Sequence, residues 1–446
     1  MKILLMLLSF CLPAGAGELS LTLKQAEQGA LASSGQYKAA EAAAEAAARA
    51  AAAAGAPLYP RVALEGSLKY NEVVTEIKLG PVSRPMGDNW NYSIGPSAYY
   101  TLFDGGALRG SRDAALKNAQ ARRAEAAQAR RQALLAARAA YFRMQLALEK
   151  VYLIGENLQL ACRQQKDVDL GVKAGSRSRL DGLRARQEVT ARRRDLLRAR
   201  NELSAALRDL SYAAGLELPP DSALPFDARM AGRDYAGASL GGLALKAEPY
   251  EAMQAALAPA AGRGPGKELP SVAALRASAG AYAAAASAQK AERLPRLALN
   301  ARSSIDYPNG PNIYSFMQNS AGLTLSLPLF EKDRTSEKER ENLAAARASL
   351  ERGADAERSA ARDFAEARDA YSALGEEQSI NIEAVDDAAE AARLAYDSYK
   401  AGGGTWLEVE SANLKELQAR TTLATVNAEM LLKLAVMDSL SDEEKI

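Results

Sequence analysis

The stretches VKAGSRSRLDGLRA (172–185) and YKAGGGTWLEVESA (399–412) are diverged copies of one another. Ala174, Gly175, Ser178, Asp181 and Ala185 of the first align with Ala401, Gly402, Thr405, Glu408 and Ala412 of the second, 227 residues further on. The same spacing joins Phe103 of TLFDGG to Phe330 of PLFEKD. YPRVALE (59–65) matches LPRLALN (294–300) at a spacing of 235, so the first copy carries about eight extra residues between those landmarks. Three landmarks in one order make the chain two copies of a single unit, and the fold has to be built from two like halves.

Each copy reads in the same order. An Ala-rich helix comes first (about 21–56, and about 270–292), then a region of strand character, then a very long helical stretch, a glycine break and a second long helix. The stretches Gly106–Lys173 and Lys332–Lys400 contain no proline. At 1.5 Å per residue each extends on the order of 100 Å. A helix of that length cannot be buried in one small domain and has to pack in a coiled-coil or tube-like assembly. Glycine in a helix interior costs roughly 1 kcal/mol relative to alanine. Gly402, Gly403 and Gly404 are therefore read, with Gly175, as the tip turns of helical hairpins.

The strand regions alternate with period two. Val62, Leu64, Leu68 and Tyr70 oppose Ala63, Glu65, Ser67 and Lys69; Tyr92, Ile94, Ala98, Tyr100 and Leu102 oppose Ser93, Ser97 and Thr101. In the second copy Leu297, Leu299, Ile305 and Tyr307 oppose Asn300, Arg302 and Asp306, and Leu323, Leu325, Leu327 and Leu329 oppose Thr324 and Ser326. Such strands have one apolar and one wet face. Runs of about ten residues are long enough to cross a bilayer. Four strands are too few to close a barrel, so a barrel requires several chains. The predicted organisation is a signal peptide (1–16), a first repeat (17–212; strand pair about 60–103, tip about 172–181) and a Pro/Gly-rich linker (213–269) with a short helix near 249–258. A second repeat follows (270–440; strand pair about 295–330, tip about 400–408), with a tail at 441–446.

The sequence speaks against catalysis. With no histidine, the GxSxG match Gly237–Gly241 has no general base for Ser239, and His-based metal sites and triads are excluded. GRGPGKE (262–268) has the wrong spacing for a phosphate loop and lacks the hydroxyl residue after its lysine. No catalytic, cofactor or metal site is expected. Lys and Arg number 56 against 55 acids, which gives no pull toward nucleic acid, and clusters such as Arg122, Arg123, Arg130 and Arg131 read as solvated helix faces. The N-terminus has Lys2, the apolar run Ile3–Leu12 and then Ala14-Gly15-Ala16, a secretory signal cut after Ala16. A lipoprotein signal at Cys11 competes poorly, because Phe10 precedes that cysteine. Cys162 reads as an inert thiol, and Trp90 and Trp406 as packing or interface residues. No segment is long and apolar enough for a transmembrane helix, so any span is built from strands.

With repeat, strand pairs and glycine breaks laid out, the sequence resembles the TolC-like outer-membrane efflux protein family. LSLTLKQAEQGALASSGQYKAAEAAAEAA, LYPRVALEGSLKY, YTLFDGGALRG with its copy LPLFEKDRTSE, and the two glycine-break stretches carry the resemblance, which covers nearly all of the chain after residue 16. The resemblance implies a mainly α fold with β: a homotrimer whose long helices form a periplasmic α-barrel and whose four strands per chain share a 12-stranded β-barrel in outer-membrane lipid. It implies a non-enzymatic exit duct working with a periplasmic adaptor (membrane fusion) protein and an inner-membrane transporter, in efflux or type I secretion. It places the periplasmic gate at the glycine breaks: an entrance acid falls on Glu408, and tip links fall on Asp181 and Tyr399. The family's second acid falls on Ser411 and its linking arginine on Gly404, so both are missing; Glu410 lies one residue before Ser411 and faces about 100° away from it. The competing reading is a periplasmic adaptor or coiled-coil scaffold, which would normally carry one helical hairpin flanked by compact β-domains.

Overall fold

The computed structural model describes residues 18–216, 236–240 and 243–442. The signal segment 1–16 with Cys11, the 217–235 part of the linker and most of the tail lie outside them. In chain order the elements are β1 (Glu18–Leu21), α1 (Leu23–Ser33), α2 (Gly35–Ala54), β2 (Arg61–Tyr70), β3 (Glu76–Leu79), β4 (Val82–Pro85), β5 (Trp90–Phe103), α3 (Ala107–Lys173) and α4 (Arg179–Ala214). They continue with β6 (Ala236–Leu240), β7 (Leu243–Ala247), α5 (Tyr250–Leu257), α6 (Pro270–Ala291), β8 (Arg296–Tyr307), β9 (Phe316–Ser326), α7 (Arg334–Ala401) and α8 (Trp406–Leu440). The two glycine breaks thus separate helices of 67 and 68 residues from partners of 36 and 35. The chain forms two compact units that cut across the sequence copies: 39–127 with 270–356, and 1–38 with 128–269 and 357–446.

The first of these units holds an antiparallel sheet of order β2-β5-β8-β9, in which one hairpin from each copy joins through β5 and β8. Register confirms the two faces read from the sequence: Val62 pairs with Ala98 and Leu64 with Pro96 on one, Arg61 with Tyr99 and Ala63 with Ser97 on the other. The apolar face has no cover among the described residues: Leu64 is 75% exposed, Met317 69% and Leu325 69%. Gly95 allows the join between copies, since a Cβ there would lie 2.0 Å from the Ser303 carbonyl oxygen.

The strands depart from expectation in two places. Within the first strand pair, the stretch LGPVSRPMGDNW and the residues before it, whose Gly and Pro content reads as turn, hold a small hairpin: β3 and β4 pair antiparallel through Leu79 and Val82 around Gly80 at φ +68°, which accommodates the extra residues of the first copy. In the second copy the strand stops at Ser326 and does not reach Phe330; Pro328 has no N–H for a ladder. The turns into the long helices also differ. Gly105 and Gly106 take φ +67° and +95° in the first copy, whereas their counterparts Lys332 and Asp333 hold left-handed φ of 42° and 59°. An L-residue pays roughly 1–2 kcal/mol for that region.

The second unit contains the main core. Tyr141, Phe142 and Met144 of α3, Leu203 and Leu210 of α4, Met253 of α5 and Leu431, Leu434 and Met437 of α8 are fully buried there. The linker is more ordered than a Pro/Gly-rich composition suggests: besides α5, β7 pairs in parallel with β1 and antiparallel with β6. Tyr141 ties this sheet to α3. Its hydroxyl donates to the Leu21 carbonyl (2.6 Å) and accepts from the Glu248 amide (3.0 Å), and burial raises its pKa. Arg138 bridges Glu27 (2.5 Å) and Asp438 (2.6 Å), joining α1 to the end of α8. GRGPGKE is a loop held on the C-terminus, where the Lys267 and Glu268 amides donate to Asp442. The GxS of the GxSxG match lies within β6, and its last glycine falls outside the described residues. Cys162 is a free, partly buried thiol against the core.

Candidate functional site: the paired hairpin tips

Both glycine breaks are built alike. Helix α3 ends at Gly175 (φ +74°) and α7 at Gly402 (φ +86°), the left-handed cap that glycine adopts without a Cβ penalty. In each, an amide just past the turn closes back on the last helical turn: Ser176 N to Gly171 O (2.9 Å) and Gly403 N to Ser398 O (3.0 Å). Gly404 sits against Ser398 Oγ and a Glu408 carboxylate oxygen, at 3.1 and 3.2 Å from where a Cβ would stand.

The restarts are unequal. Ser178 Oγ accepts the Asp181 amide at 3.1 Å, a single-sided cap. At the second tip Thr405 Oγ1 accepts the Glu408 amide (3.4 Å) while Glu408 Oε2 accepts the Thr405 amide (2.8 Å), completing a capping box. Glu408 is solvent-exposed, yet one of its oxygens is committed to the helix start. The T-x-x-E spacing of Thr405 and Glu408 was a legible signal for this second role.

The two tips share a small core. Tyr399, Trp406 and Val409 pack with Val168 and Ala185. Tyr399 and Trp406 meet edge-to-face at 5.3 Å. The Arg177 guanidinium lies 4.3 Å over the Tyr399 ring, and its Nη2 donates to the Lys400 carbonyl at 2.9 Å. The first hairpin thus supplies an arginine across the tips, while Gly404 provides none. Burial pushes the Tyr399 pKa up, the Asp181 charge adds to this and Arg177 opposes it. Asp181 is half-buried near Tyr399. The Tyr399 hydroxyl and the Trp406 indole N–H are dry and have no partner among the described residues. A buried unsatisfied group costs about 1–3 kcal/mol, so the packed tip holds back free energy that hydration would release.

Sequence reasoning missed a second polar cluster beside the tips. Glu188, 3% exposed, has neither oxygen hydrogen-bonded. Arg192 is also buried and engages Asp195 at 3.1 Å. The buried Asn413 amide donates to Gln164 Oε1 at 2.8 Å. Burial pushes Glu188 up to about 7; Arg192 opposes this, Glu410 reinforces it and Asn413 eases it. Nothing in a helix as charged as α4 singles out Glu188 from its neighbours.

A family model described as outer membrane efflux protein matches residues 27–216 and 267–440. A search of curated protein sequences found no significant match. Among solved structures, the CusC channel superposes with a TM-score of 0.74 at 18% identity, covering 94% of this chain and 92% of that one. The outer membrane protein VceC from Vibrio cholerae gives 0.73 at 19%, covering 94% and 95%. The open state of the MtrE outer membrane channel from Neisseria gonorrhoeae gives 0.70 at 19%, covering 94% and 88%. With most of its length matched and both hairpins in place, the chain belongs to the outer membrane efflux protein family, a family of outer-membrane channels rather than enzymes.

Proposed function

We propose that this protein is the outer-membrane exit duct of a tripartite efflux pump or a type I secretion system, assembled as a homotrimer that contributes four strands per chain to a 12-stranded barrel. The observation that carries this reading is the β2-β5-β8-β9 sheet, which among the described residues has an uncovered apolar face, a polar opposite face and two unpaired edges. Such a sheet is stable in lipid only when its edges are closed by further strands. The tips form the periplasmic gate. Arg177 and Tyr399 hold them together, Asp181 lies beside Tyr399, and Glu408 supplies carboxylates at the entrance. A periplasmic adaptor docks on the helices and links the duct to an inner-membrane transporter, which supplies the energy.

The test is membrane fractionation followed by detergent extraction. The duct predicts an outer-membrane trimer with heat-modifiable migration that forms pores in planar bilayers and co-purifies with a cross-linked adaptor. Recovery as a soluble periplasmic monomer would overturn it.

A further inference from the structure

The polar face of the four-stranded sheet carries an unbalanced charge at one end. This face forms a trough of about 580 Å³ lined by Arg61, Glu65, Ser97, Tyr99, Asn300 and Arg302, among others. Arg302 is locally balanced: its Nη2 donates to Ser93 Oγ (2.6 Å), which donates to Asp306 Oδ1 (2.5 Å). At the end where β2 and β8 begin, the balance fails. Arg61 is the cross-strand neighbour of Tyr99. Arg296 Nη2 reaches the Tyr99 hydroxyl (3.0 Å) and Thr101 Oγ1 (3.3 Å), so Tyr99 stands between the register position of Arg61 and the guanidinium of Arg296. Among the described residues no carboxylate pairs with either arginine. Glu65, on the same face, is four residues further along β2, roughly 13 Å away at strand rise.

Resting on the duct reading above, which makes this face the lumen, we propose that Arg61 and Arg296 form a cationic belt around Tyr99 that selects anionic solutes bearing a carboxylate or phosphate group. Two arginines per chain place six guanidinium groups around a three-chain barrel. Low-dielectric walls focus that field into the water-filled pore and enrich anions there. The planar fork of guanidinium matches carboxylate and phosphate geometry, and Tyr99 and Thr101 fix Arg296 without neutralising it. Arg61 and Tyr99 line the trough and Arg296 joins that face through Tyr99 and Thr101, so the anion the belt takes is a solute in transit and not a lipid headgroup.

Reversal potentials in planar bilayers under a KCl gradient test the belt. The Arg61→Gln/Arg296→Gln pair should lower the chloride-to-potassium permeability ratio by roughly threefold or more relative to wild type. The charge-preserving Arg61→Lys/Arg296→Lys pair should stay within about twofold of it. An unchanged ratio in the glutamine pair overturns the belt, and so does an equal loss in both pairs. Inorganic pyrophosphate added to the wild-type channel should reduce its current without any substitution; absence of block also overturns the proposal. A wild-type protein that forms no pores refutes the duct reading itself, a result distinct from an unselective pore.

Discussion

Replacing Glu188 with glutamine removes a charge that the fold accommodates poorly. The carboxyl sits at about 7 in the folded chain against 4.5 for an ordinary glutamate. Below pH 4.5 it is protonated in folded and opened forms alike and contributes nothing. Between 4.5 and 7 the opened form ionises first, so the folded form loses stability as pH rises. Above 7 the loss is complete at about 3 kcal/mol, from 1.36 kcal/mol for each pH unit between the two values. Glutamine keeps the shape, and Arg192 keeps Asp195 as its counter-ion. Hydrogen exchange of peptides spanning 182–196 and 409–417 reads the local opening. Wild type and Glu188→Gln should exchange alike at pH 4.5. At pH 8 the wild type should exchange on the order of 100-fold faster, the factor that follows from such a free energy. Equal rates at pH 8, or a variant that is the less protected, would refute the reasoning.

Other substitutions address the tips and the sheet. Glu408→Gln retains the capping geometry but drops the charge, so helicity should hold while block of the channel by divalent cations weakens; unchanged block removes Glu408 from the entrance. Arg177→Ala deletes the Lys400 carbonyl bond and the contact over Tyr399, and should raise the open probability of single channels severalfold, in keeping with about 1–3 kcal/mol for such contacts. Asp333→Gly relieves a left-handed residue and should stabilise the protein by about 1 kcal/mol, visible as a raised melting temperature. Gly95→Ala drives a Cβ into the Ser303 carbonyl and should abolish the heat-resistant oligomer; a normal oligomer band would show that the β5–β8 join has room to spare.

The parts of the fold legible in the sequence were those set by repeating local physics. Proline-free, alanine-rich runs marked α3 and α7 to within a residue or two at most ends, and period-two alternation marked the faces of β2, β5, β8 and β9. What escaped depended on contacts remote in sequence. The parallel pairing of β1 with β7 joins residues more than 200 apart, and neither strand is long enough to show a period. Arg177 over Tyr399 likewise comes from the other copy, and the family resemblance pointed only to an arginine missing at Gly404. The β3–β4 pair hid in a loop whose Gly and Pro content reads as turn. Lys332 and Asp333 violate local preference outright, and only the aligned glycines Gly105 and Gly106 hint at their conformation.

The two open edges of the sheet bear on how the protein reaches its working form. Among the described residues, strands β2 and β9 have a neighbour on one side only, and both are exposed along almost their whole length. A single chain released into the periplasm therefore carries a sticky template at each edge and an oily face between them. In the proposed trimer its maturation depends on concentration: each chain has to meet two siblings before it meets an unrelated strand. The yield of channel is then set during this interval as much as by the stability of the finished assembly.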